Sequence, residues 1–449
     1  MHTGPIFRLN FGGQPVLVVG SAKIAADLMD RRSSIYSDRP RFIMATEILT
    51  GGMNLAFARY GDRWKRMRRV ANSCLSSKAA SEYTPLQEKE AISLLNNLLR
   101  VHSSMGTDLD PILRQSAAAT ILKTVYSYPD IIDGDPIVHS VENYVDRMLK
   151  AALPGSYWVD IFPALNYLPP WIAPWKRQGN AWYKHDTDLF IRLVNDVRIG
   201  LDDGTRTNCL TAKLLDPTQK HGVDHIERAW LAGAEAVAAT LSFFMLAMVL
   251  YPKVQVKLRE ELQKTVGVDR LPGFAEVKDL PYLGAVIKET LRWRPMGPLA
   301  VPHRSIEDDV YQGHLIPAGT IILPNVWAMH HDEKTYPDPE IFMPERFLNT
   351  DEKTPVDFAD TKDLGHHSFG FGRRSCIGYT VANNALMLYA SSIVLTFDIK
   401  KFQTQDGEEI TPDPNLLLDE GLAVRPVPFP CKLEVLSEGI AQFVKDHNN

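Results

Sequence analysis

Cysteine is scarce in this chain. Among 449 residues there are four cysteines, Cys74, Cys209, Cys376 and Cys431, and they lie far apart. No Cys-x-x-Cys pair occurs, which argues against a structural zinc site. Scattered single cysteines also argue against a disulfide scaffold and are typical of thiols in a reducing compartment.

Linkers, repeats and a strong charge bias are missing as well. The sequence has no Gly/Ser-rich linker, no low-complexity tract and no internal repeat. Its formal net charge of −5 gives no reason to expect a nucleic acid partner. A chain of this length has two domains as its usual prior, but nothing here marks a boundary. We therefore expect one domain over residues 1–449.

No signal peptide or apolar anchor precedes the first strand-like run, Phe7 to Val19. One apolar stretch, Ala229 to Leu250, is nevertheless long enough to cross a bilayer. Glu235 lies inside this stretch, and a charge in hydrocarbon is costly. Its first half is also rich in Ala and Gly rather than Leu. The stretch therefore predicts a long buried helix in preference to a membrane span.

What the chain does have is an unusual cysteine loop. Residues 369–378 read Phe-Gly-Phe-Gly-Arg-Arg-Ser-Cys-Ile-Gly, and a helix-like run follows from Val381 to Leu395. Cationic neighbours and a helix start lower the pKa of a thiol, and glycines let backbone approach a flat macrocycle. The alternative is an inert buried cysteine in a glycine-rich turn. A dinucleotide loop is a weak alternative because Ser375 stands where its third glycine belongs.

This loop resembles the haem-binding loop of cytochrome P450, Phe-x-x-Gly-x-Arg-x-Cys-x-Gly, at every fixed position. The resemblance implies that Cys376 is the metal ligand that gives a thiolate to the iron of haem b. Phe369, Gly370 and Gly378 belong to the same motif and are expected to contact the cofactor. Thiolate ligation favours O–O cleavage.

Two further motifs support this family. Glu289 and Arg292 match its Glu-x-x-Arg helix, and Arg346 lies in the matching segment Pro-Glu-Arg-Phe. The resemblance implies that these three residues form a buried ionic triad behind the haem loop. The alternative is an exposed helical ion pair of about 0.3–0.5 kcal/mol.

The haem propionates also have candidate partners. Trp64 and Arg68 resemble the family's Trp-x-x-x-Arg and share a helix face at i, i+4. Arg374 stands two residues before the cysteine, and the pair His303-Arg304 stands where the family offers another donor, which the resemblance assigns to Arg304. The helix around Trp64 also carries Lys65, Arg66 and Arg69. A basic face of this kind suits an acidic electron-transfer partner, and the alternative is a solvated basic helix.

One motif departs from the family. Residues 232–237 read Ala-Gly-Ala-Glu-Ala-Val, whereas most P450s have Ala-Gly-x-Asp/Glu-Thr. Glu235 is the expected proton relay, with a pKa raised by burial, but Ala236 replaces the alcohol that helps deliver protons. Thr240 is one turn further on, about 6 Å along the axis, and too far to substitute directly. A substrate hydroxyl or water can fill the gap; the alternatives are desaturation, rearrangement or peroxygenase chemistry, or a weakened haem-binding protein.

The resemblance covers essentially the whole chain and is strongest to fungal class II (microsomal) enzymes of secondary metabolism. It implies a mainly α fold with small β-sheets, the cytochrome P450 fold. It also implies monooxygenation of a small lipophilic substrate by O₂, with NADPH-cytochrome P450 reductase as the electron donor and cytochrome b5 as a second candidate. A silent haem protein that binds ligands or gas, and a non-oxidative haem isomerase, are rivals from other classes. By family position, the substrate pocket is lined by Ala232, Leu299, Val301 and Leu422.

The sequence also bears on membrane contact, cellular location and which histidines lie on the surface. Aromatic residues alternate with prolines from Tyr157 to Tyr183, which indicates a membrane surface; the alternative is an aromatic wedge packed on the core. The resemblance implies the cytosolic face of the endoplasmic reticulum membrane for an anchored form. We expect the missing anchor to reflect trimming, with a naturally soluble form as the alternative. The pairs His330-His331 and His366-His367 are expected to be surface residues rather than metal ligands.

Overall fold

The computed structural model describes residues 4–102, 108–129, 131, 134–153, 155–218, 222–231, 238–362 and 364–447. Helices dominate these residues, as the sequence predicts. They are α1 (Ala22–Ala25), α2 (Ser33–Tyr36), α3 (Asp62–Cys74), α4 (Ser77–Glu82), α5 (Thr84–Val101), α6 (Asp110–Tyr126), α7 (Pro136–Ala152), α8 (Trp158–Ile161), α9 (Pro174–Asp202), α10 (Leu210–Leu215), α11 (His225–Leu231), α12 (Ala238–Leu250), α13 (Pro252–Val266), α14 (Phe274–Val277), α15 (Pro281–Trp293), α16 (Val326–His330), α17 (Tyr379–Thr396) and α18 (Glu438–His447).

Shorter helical turns complete the helical part. Two π-helical segments span Ala26–Arg31 and Ile43–Ile48, and 3-10 turns span Pro163–Tyr167, Pro344–Phe347 and Gly372–Arg374. The sequence predicts one helix over Ala22 to Arg31, and the structure divides that range between α1 and the first π segment.

The strands form small sheets. They are β1 (Ile6–Phe11), β2 (Gln14–Val19), β3 (His303–Arg304), β4 (Asp309–Tyr311), β5 (His314–Ile316), β6 (Ile321–Pro324), β7 (Phe397–Gln403), β8 (Glu409–Ile410), β9 (Leu417–Asp419), β10 (Val424–Pro426) and β11 (Cys431–Val435). The largest sheet has the order β1-β2-β6-β3, with β2 and β6 parallel. The mainly α class with small sheets is confirmed.

The first hairpin follows from its turn residues. Phe11 pairs with Gln14 across a two-residue turn, so Gly12 and Gly13 must reverse the chain. Both have positive φ, 59° and 93°, which favours glycine. The predicted pair of strands around these glycines is therefore present.

The apolar stretch ending at Leu250 lies in the core. Phe243, Phe244 and Met245 on α12 are fully buried, in one cluster with residues of α5, α15 and α17. Within the described ranges, no single helix is long and apolar enough to span a membrane; Ala239–Leu250 and Pro252–Val266 pass that test only together, bent by 106°. Where the structure describes it, the stretch is a buried helix, as predicted.

The segment between α7 and α9 exposes its aromatic side chains. Trp158, Tyr167 and Trp171 are 70%, 91% and 75% exposed, and Phe162 and Ile172 are also exposed. These residues do not form a wedge on the core, which was one of the two alternatives for Tyr157 to Tyr183. Further along, Trp175 and Trp182 do pack partly against the core.

Candidate functional site

The loop before α17 holds its cysteine by backbone contacts. The Cys376 amide donates to the Phe369 carbonyl at 2.8 Å, which closes the loop on itself. The Gly372 amide donates to the Asp30 carboxylate. A Cβ at Gly372 would lie 2.0 Å from the Met29 carbonyl oxygen, so only glycine allows the loop to approach the first π segment this closely.

The Cys376 side chain is accessible to solvent although protein surrounds it closely. It lies at the wall of a cavity of about 160 Å³. Burial raises the pKa of its thiol, while the Gly378 amide and the nearby Arg68 act to lower that pKa. The prediction that Arg373 and Arg374 lower the pKa of the Cys376 thiol is therefore wrong for the protein without a bound metal ion, because burial has the larger effect. A metal ion would deprotonate a coordinating thiol outright.

Arg374 is held by backbone carbonyls of the segment before α3. Its guanidinium donates to the carbonyls of Ser37 at 2.7 Å and Ala58 at 2.8 Å, and it lies 4.0 Å from the ring centroid of Trp64. Burial lowers the pKa of Arg374 to about 9. The carbonyl oxygens leave this buried cation without a carboxylate of its own.

Trp64 and Arg68 share one face of α3, as the i, i+4 spacing predicts, and both lie beside Arg374 of the cysteine loop. Trp64 is buried, and its indole N–H donates to the Leu55 carbonyl at 3.0 Å. Arg68 donates to the Ser375 carbonyl at 2.5 Å, next to the cysteine. Burial lowers the pKa of Arg68 to about 10. The structure thus brings three of the predicted propionate residues together.

The fourth, Arg304, lies differently. It is one-third exposed and pairs with Asp38 at 3.5 Å. Its neighbour His303 is buried instead, with Nδ1 2.7 Å from the Tyr36 carbonyl. Burial and the charges of Arg39 and Arg374 hold the pKa of His303 well below its usual value.

Arg39 is a residue that the sequence reasoning missed. It is buried, and donates to the carbonyls of Val301 at 2.7 Å and Pro302 at 2.8 Å. Burial and repulsion by Arg374 hold its pKa well below its usual value. No motif marks Arg39. The sequence does mark the pair His303-Arg304. Adjacent residues of a strand point to opposite faces, so only one of the two had to face inward, and it is His303 rather than Arg304.

Cationic groups therefore gather next to the cysteine. Arg39, Arg68 and Arg374 repel one another, and the neighbouring carboxylate, Asp38, already pairs with Arg59 at 2.6 Å. Buried cations need anionic partners. Haem propionates are such anions, and an accessible sulfur stands beside the cluster, so these residues fit a haem b cofactor.

The three predicted triad residues meet in the core. Glu289 and Arg292 have fully buried side chains and share two hydrogen bonds of 2.6 and 2.8 Å. Arg346 reaches the same carboxylate at 3.2 Å. The amide of Met343 also donates to it, at 2.8 Å. The pair is thus buried and cross-linked, and not the exposed ion pair that was its alternative.

Three histidines near this triad are buried, so the expectation of surface positions is wrong. His330, His366 and His367 are 0%, 2% and 5% exposed, and the side chain of His331 is 9% exposed. Burial lowers the pKa of His366 to about 3 and of His367 to about 4. Sequence alone suggested loops, but tertiary packing of α16 against the cysteine loop covers these rings.

The predicted pocket residues are only partly placed. Val301 and Leu422 pack against an apolar cluster that includes Trp230 and Leu231 on α11, whereas Leu299 is 43% exposed. Ala232, Glu235 and Ala236 lie outside the described residues.

Comparison with known proteins decides the family. The family model described as Cytochrome P450 matches residues 1–428. The chain belongs to the cytochrome P450 family. It is 44% identical to Cytochrome P450 monooxygenase 58 of Postia placenta over 98% of this chain and 84% of that protein. A P450 monooxygenase of Armillaria gallica is 39% identical over 96% of this chain and 83% of that protein.

Solved structures agree with the fold. A zebra fish cytochrome P450 solved with progesterone has a TM-score of 0.78 and 25% sequence identity, with 96% of each chain covered. The cytochrome P450 fold is thereby confirmed. Membership of this family implies haem b, and the related fungal proteins make this chain a P450 monooxygenase, an oxidoreductase.

Proposed function

We propose that this P450 inserts one oxygen atom from O₂ into a small lipophilic substrate of secondary-metabolite type, with electrons from NADPH delivered by a separate reductase. The observation that carries the proposal is the accessible Cys376 sulfur beside a buried cluster of arginines. The fungal relatives named as monooxygenases support the reaction class.

Each residue of the site has a proposed task. Cys376 would hold the haem iron, and haem with a thiolate ligand supplies the chemistry of O–O cleavage. The Gly378 amide tunes the sulfur, since hydrogen bonds to a ligand set its donor strength. Arg39, Arg68 and Arg374 would neutralise the propionates, and His303 lies beside them. Glu235 is the proposed proton relay.

The ionic triad is proposed to support the loop rather than touch the cofactor. Glu289, Arg292 and Arg346 tie α15 to the segment around Met343, and the Glu289 carboxylate at the centre is fully buried. Removing one partner of a buried ion pair costs about 3–5 kcal/mol. The triad is therefore expected to matter for folding and haem incorporation more than for substrate choice.

Incorporation of labelled oxygen tests the reaction directly. The protein is reconstituted with a P450 reductase, NADPH and ¹⁸O₂, and screened against terpenoid, polyketide, indole and fatty-acid compounds. We expect one labelled oxygen atom in a product, and no product from Cys376→Ser. A product that carries oxygen from water, or product formation by Cys376→Ser, would contradict the proposal.

A second candidate follows from Ala236. Without an alcohol at this position, proton delivery depends on the substrate or on water, and desaturation, rearrangement or peroxygenase chemistry becomes the alternative. Ala236→Thr separates the two. If a gap in proton delivery exists, the threonine raises the product formed per NADPH for substrates that lack a hydroxyl. No change in that ratio, together with turnover by H₂O₂ without reductase, would favour the alternative.

The proposed reductase contact lies on α3 and the cysteine loop. Lys65, Arg69 and Arg373 are exposed there, and opposite charges steer such encounters. Either the reductase or cytochrome b5 could meet this face. Charge reversal of Lys65 and Arg69 should slow reduction by the partner and leave dithionite reduction unchanged; equal effects on both would exclude a docking role.

Membrane contact is proposed for the exposed segment Trp158–Ile172, on the cytosolic face of the endoplasmic reticulum. Aromatic side chains favour the bilayer interface, and here they are exposed rather than packed. Replacing Trp158 and Trp171 by serine should weaken binding to phosphatidylcholine vesicles in a flotation assay. Binding that does not change would exclude this segment as the contact.

A further inference from the structure

His330 is a fully buried histidine that the proposed mechanism leaves without a task. It ends α16, between the ionic triad on one side and the cysteine loop on the other. It is 38 residues from Arg292 and 37 from His367 in sequence, yet it contacts both. Contacts over such separations are built by the tertiary fold.

The hydrogen bonds of His330 fix its protonation. The His367 amide donates to Nε2 of His330 at 2.8 Å, and a backbone N–H can only donate, so Nε2 is the acceptor. In a neutral imidazole the other nitrogen then carries the hydrogen. Nδ1 lies 3.0 Å from the Arg292 carbonyl and donates to it. Both sides of one rigid ring are therefore used.

The connection to the triad runs in both directions. Arg292, held by Glu289, donates from its guanidinium to the His330 carbonyl at 2.9 Å. His330 returns a bond to the Arg292 carbonyl. The last residue of α16 is thus joined to the end of α15 by two bonds of opposite sense, which fixes its distance and its rotation.

On the other side, the ring meets the start of the cysteine loop. After His367, the hydroxyl of Ser368 donates to the Leu291 carbonyl at 2.6 Å, and the Phe369 carbonyl accepts from the Cys376 amide at 2.8 Å. A short run of chain therefore links the imidazole of His330 to the backbone of the sulfur ligand.

An apolar ring would not serve here. The partners of His330 are the Arg292 carbonyl and the His367 amide, both in the buried interior, and an unpaired buried polar group costs about 1–3 kcal/mol. Simple packing is the competing explanation, because the ring also stacks on His367 with centroids 5.8 Å apart. Packing alone would tolerate a leucine of similar volume.

We propose that His330 is a positioning residue: its neutral imidazole holds the cysteine loop at a fixed distance from the ionic triad and so sets where the Cys376 sulfur meets the haem iron. This inference rests on the proposed haem-thiolate site. It assigns His330 no contact with substrate or cofactor.

Three variants of the full chain test it. His330→Leu removes both hydrogen bonds at similar volume, and His330→Gln keeps an acceptor near the position of Nε2. The matched control is His331→Gln, since His331 is the next residue and contacts Trp327 and Glu340 instead of the loop. The readouts are the carbon monoxide difference spectrum, the low-spin ferric EPR g-values and the thermal unfolding of the helices.

In the reduced carbon monoxide complex, we expect the 450 nm band of His330→Leu to convert to a band at about 420 nm at least tenfold faster than that of the wild type. The ferric EPR g-values of this variant should also be shifted. His330→Gln should lie between the two, and His331→Gln should match the wild type. Should His330→Leu fail to fold, His330→Gln decides by the same readouts.

Two results would overturn the proposal. The proposal is wrong if His330→Leu and His330→Gln both have the spectra of the wild type and convert from the 450 nm form to the 420 nm form at the wild-type rate. The other result that would overturn it is a lower unfolding temperature in these variants with an unchanged 450 nm form below it, which is what packing alone predicts. Absence of a 450 nm band in the wild type would instead contradict the haem-thiolate site itself, so the two failures are distinguishable.

Discussion

At the scale of single residues, the site depends on Arg39 and Arg374, two buried cations whose described hydrogen bonds go to carbonyl oxygens and not to a carboxylate. Arg39 and Arg374 donate to carbonyl oxygens, and burial lowers the pKa of both. Such an arrangement costs stability unless an anion arrives. Binding of a dianionic cofactor offsets that cost, so cofactor retention should report on each arginine.

Arg39→Met should therefore weaken haem retention more than Arg304→Met. Arg39 is fully buried in the cation cluster, whereas Arg304 is one-third exposed and paired with Asp38. We expect haem transfer to apomyoglobin to be about tenfold faster for Arg39→Met, as for the loss of one charged contact. Faster haem loss from Arg304→Met would restore the assignment made from sequence.

Motifs identified the site residues whose partners are local, but they missed Arg39 and did not show which residue of the pair His303-Arg304 faces inward. Trp64 and Arg68 lie one helical turn apart, so their shared face could be predicted. Arg39 and His303 reach the cluster only because β3 lies near the segment from Ser37 to Arg39. No spacing in the sequence encodes that contact.

At the scale of elements, one carboxylate joins two segments that are distant in sequence. Asp160 on α8 accepts from the Met44 amide at 3.1 Å, at the start of the second π segment. Burial raises the pKa of Asp160 to about 6, and its other oxygen is buried without a hydrogen bond. The exposed aromatic segment is thereby fastened to residues 43–48.

Asp160→Ala should release this attachment. We expect faster hydrogen exchange at the Met44 amide in the alanine variant, because its acceptor is lost, and little change in Asp160→Asn, which keeps an oxygen there. Exchange measured by mass spectrometry on peptides covering residues 41–50 checks this. Equal protection in the two variants would mean that neighbouring packing, not the carboxyl oxygen, orders the segment.

The position of α17 was predicted well, because the mostly apolar run from Val381 to Leu395 is long. Burial of the His330 and His366 pairs was predicted wrongly, because local sequence there is polar and interrupted by turns. Their rings are covered by elements distant in sequence. The periodicity of apolar residues predicts which face of a helix or strand is buried, but it does not predict which distant elements pack over a loop.

At the scale of the whole molecule, buried histidines make stability depend on pH. Burial lowers the pKa of His303, His330, His331, His366 and His367, to about 4 for His331 and His367 and about 3 for His366. In the unfolded chain these imidazoles have a pKa of about 6.5. Below that pH the unfolded state binds protons that the native state does not, so the free energy of unfolding falls.

We therefore expect urea unfolding of the holoprotein to become easier from pH 7.5 to pH 5. Each fully buried histidine contributes up to about 1.4 kcal/mol per pH unit below its unfolded pKa. Asp160 acts in the opposite direction. Because its native pKa is raised, the native state binds this one proton more readily than the unfolded state, which stabilises the fold as the pH falls. Constant stability over that interval, which lies above most carboxylate titration, would contradict the burial of these rings.

The organisation of the chain as one domain over residues 1–449 stays a prediction. Its core clusters draw on distant parts of the sequence, with residues from α5 and α18 in the same cluster as α12. The cation cluster and the ionic triad have their proposed tasks only if one atom, the Cys376 sulfur, ligates the haem iron.

The reduced-minus-oxidised carbon monoxide spectrum of the purified protein, run beside Cys376→Ser, tests that dependence most directly. We expect a Soret band near 450 nm, to within about 5 nm, that is lost in the serine variant. A wild-type band at about 420 nm, or a 450 nm band that survives the substitution, would contradict ligation of haem iron by Cys376.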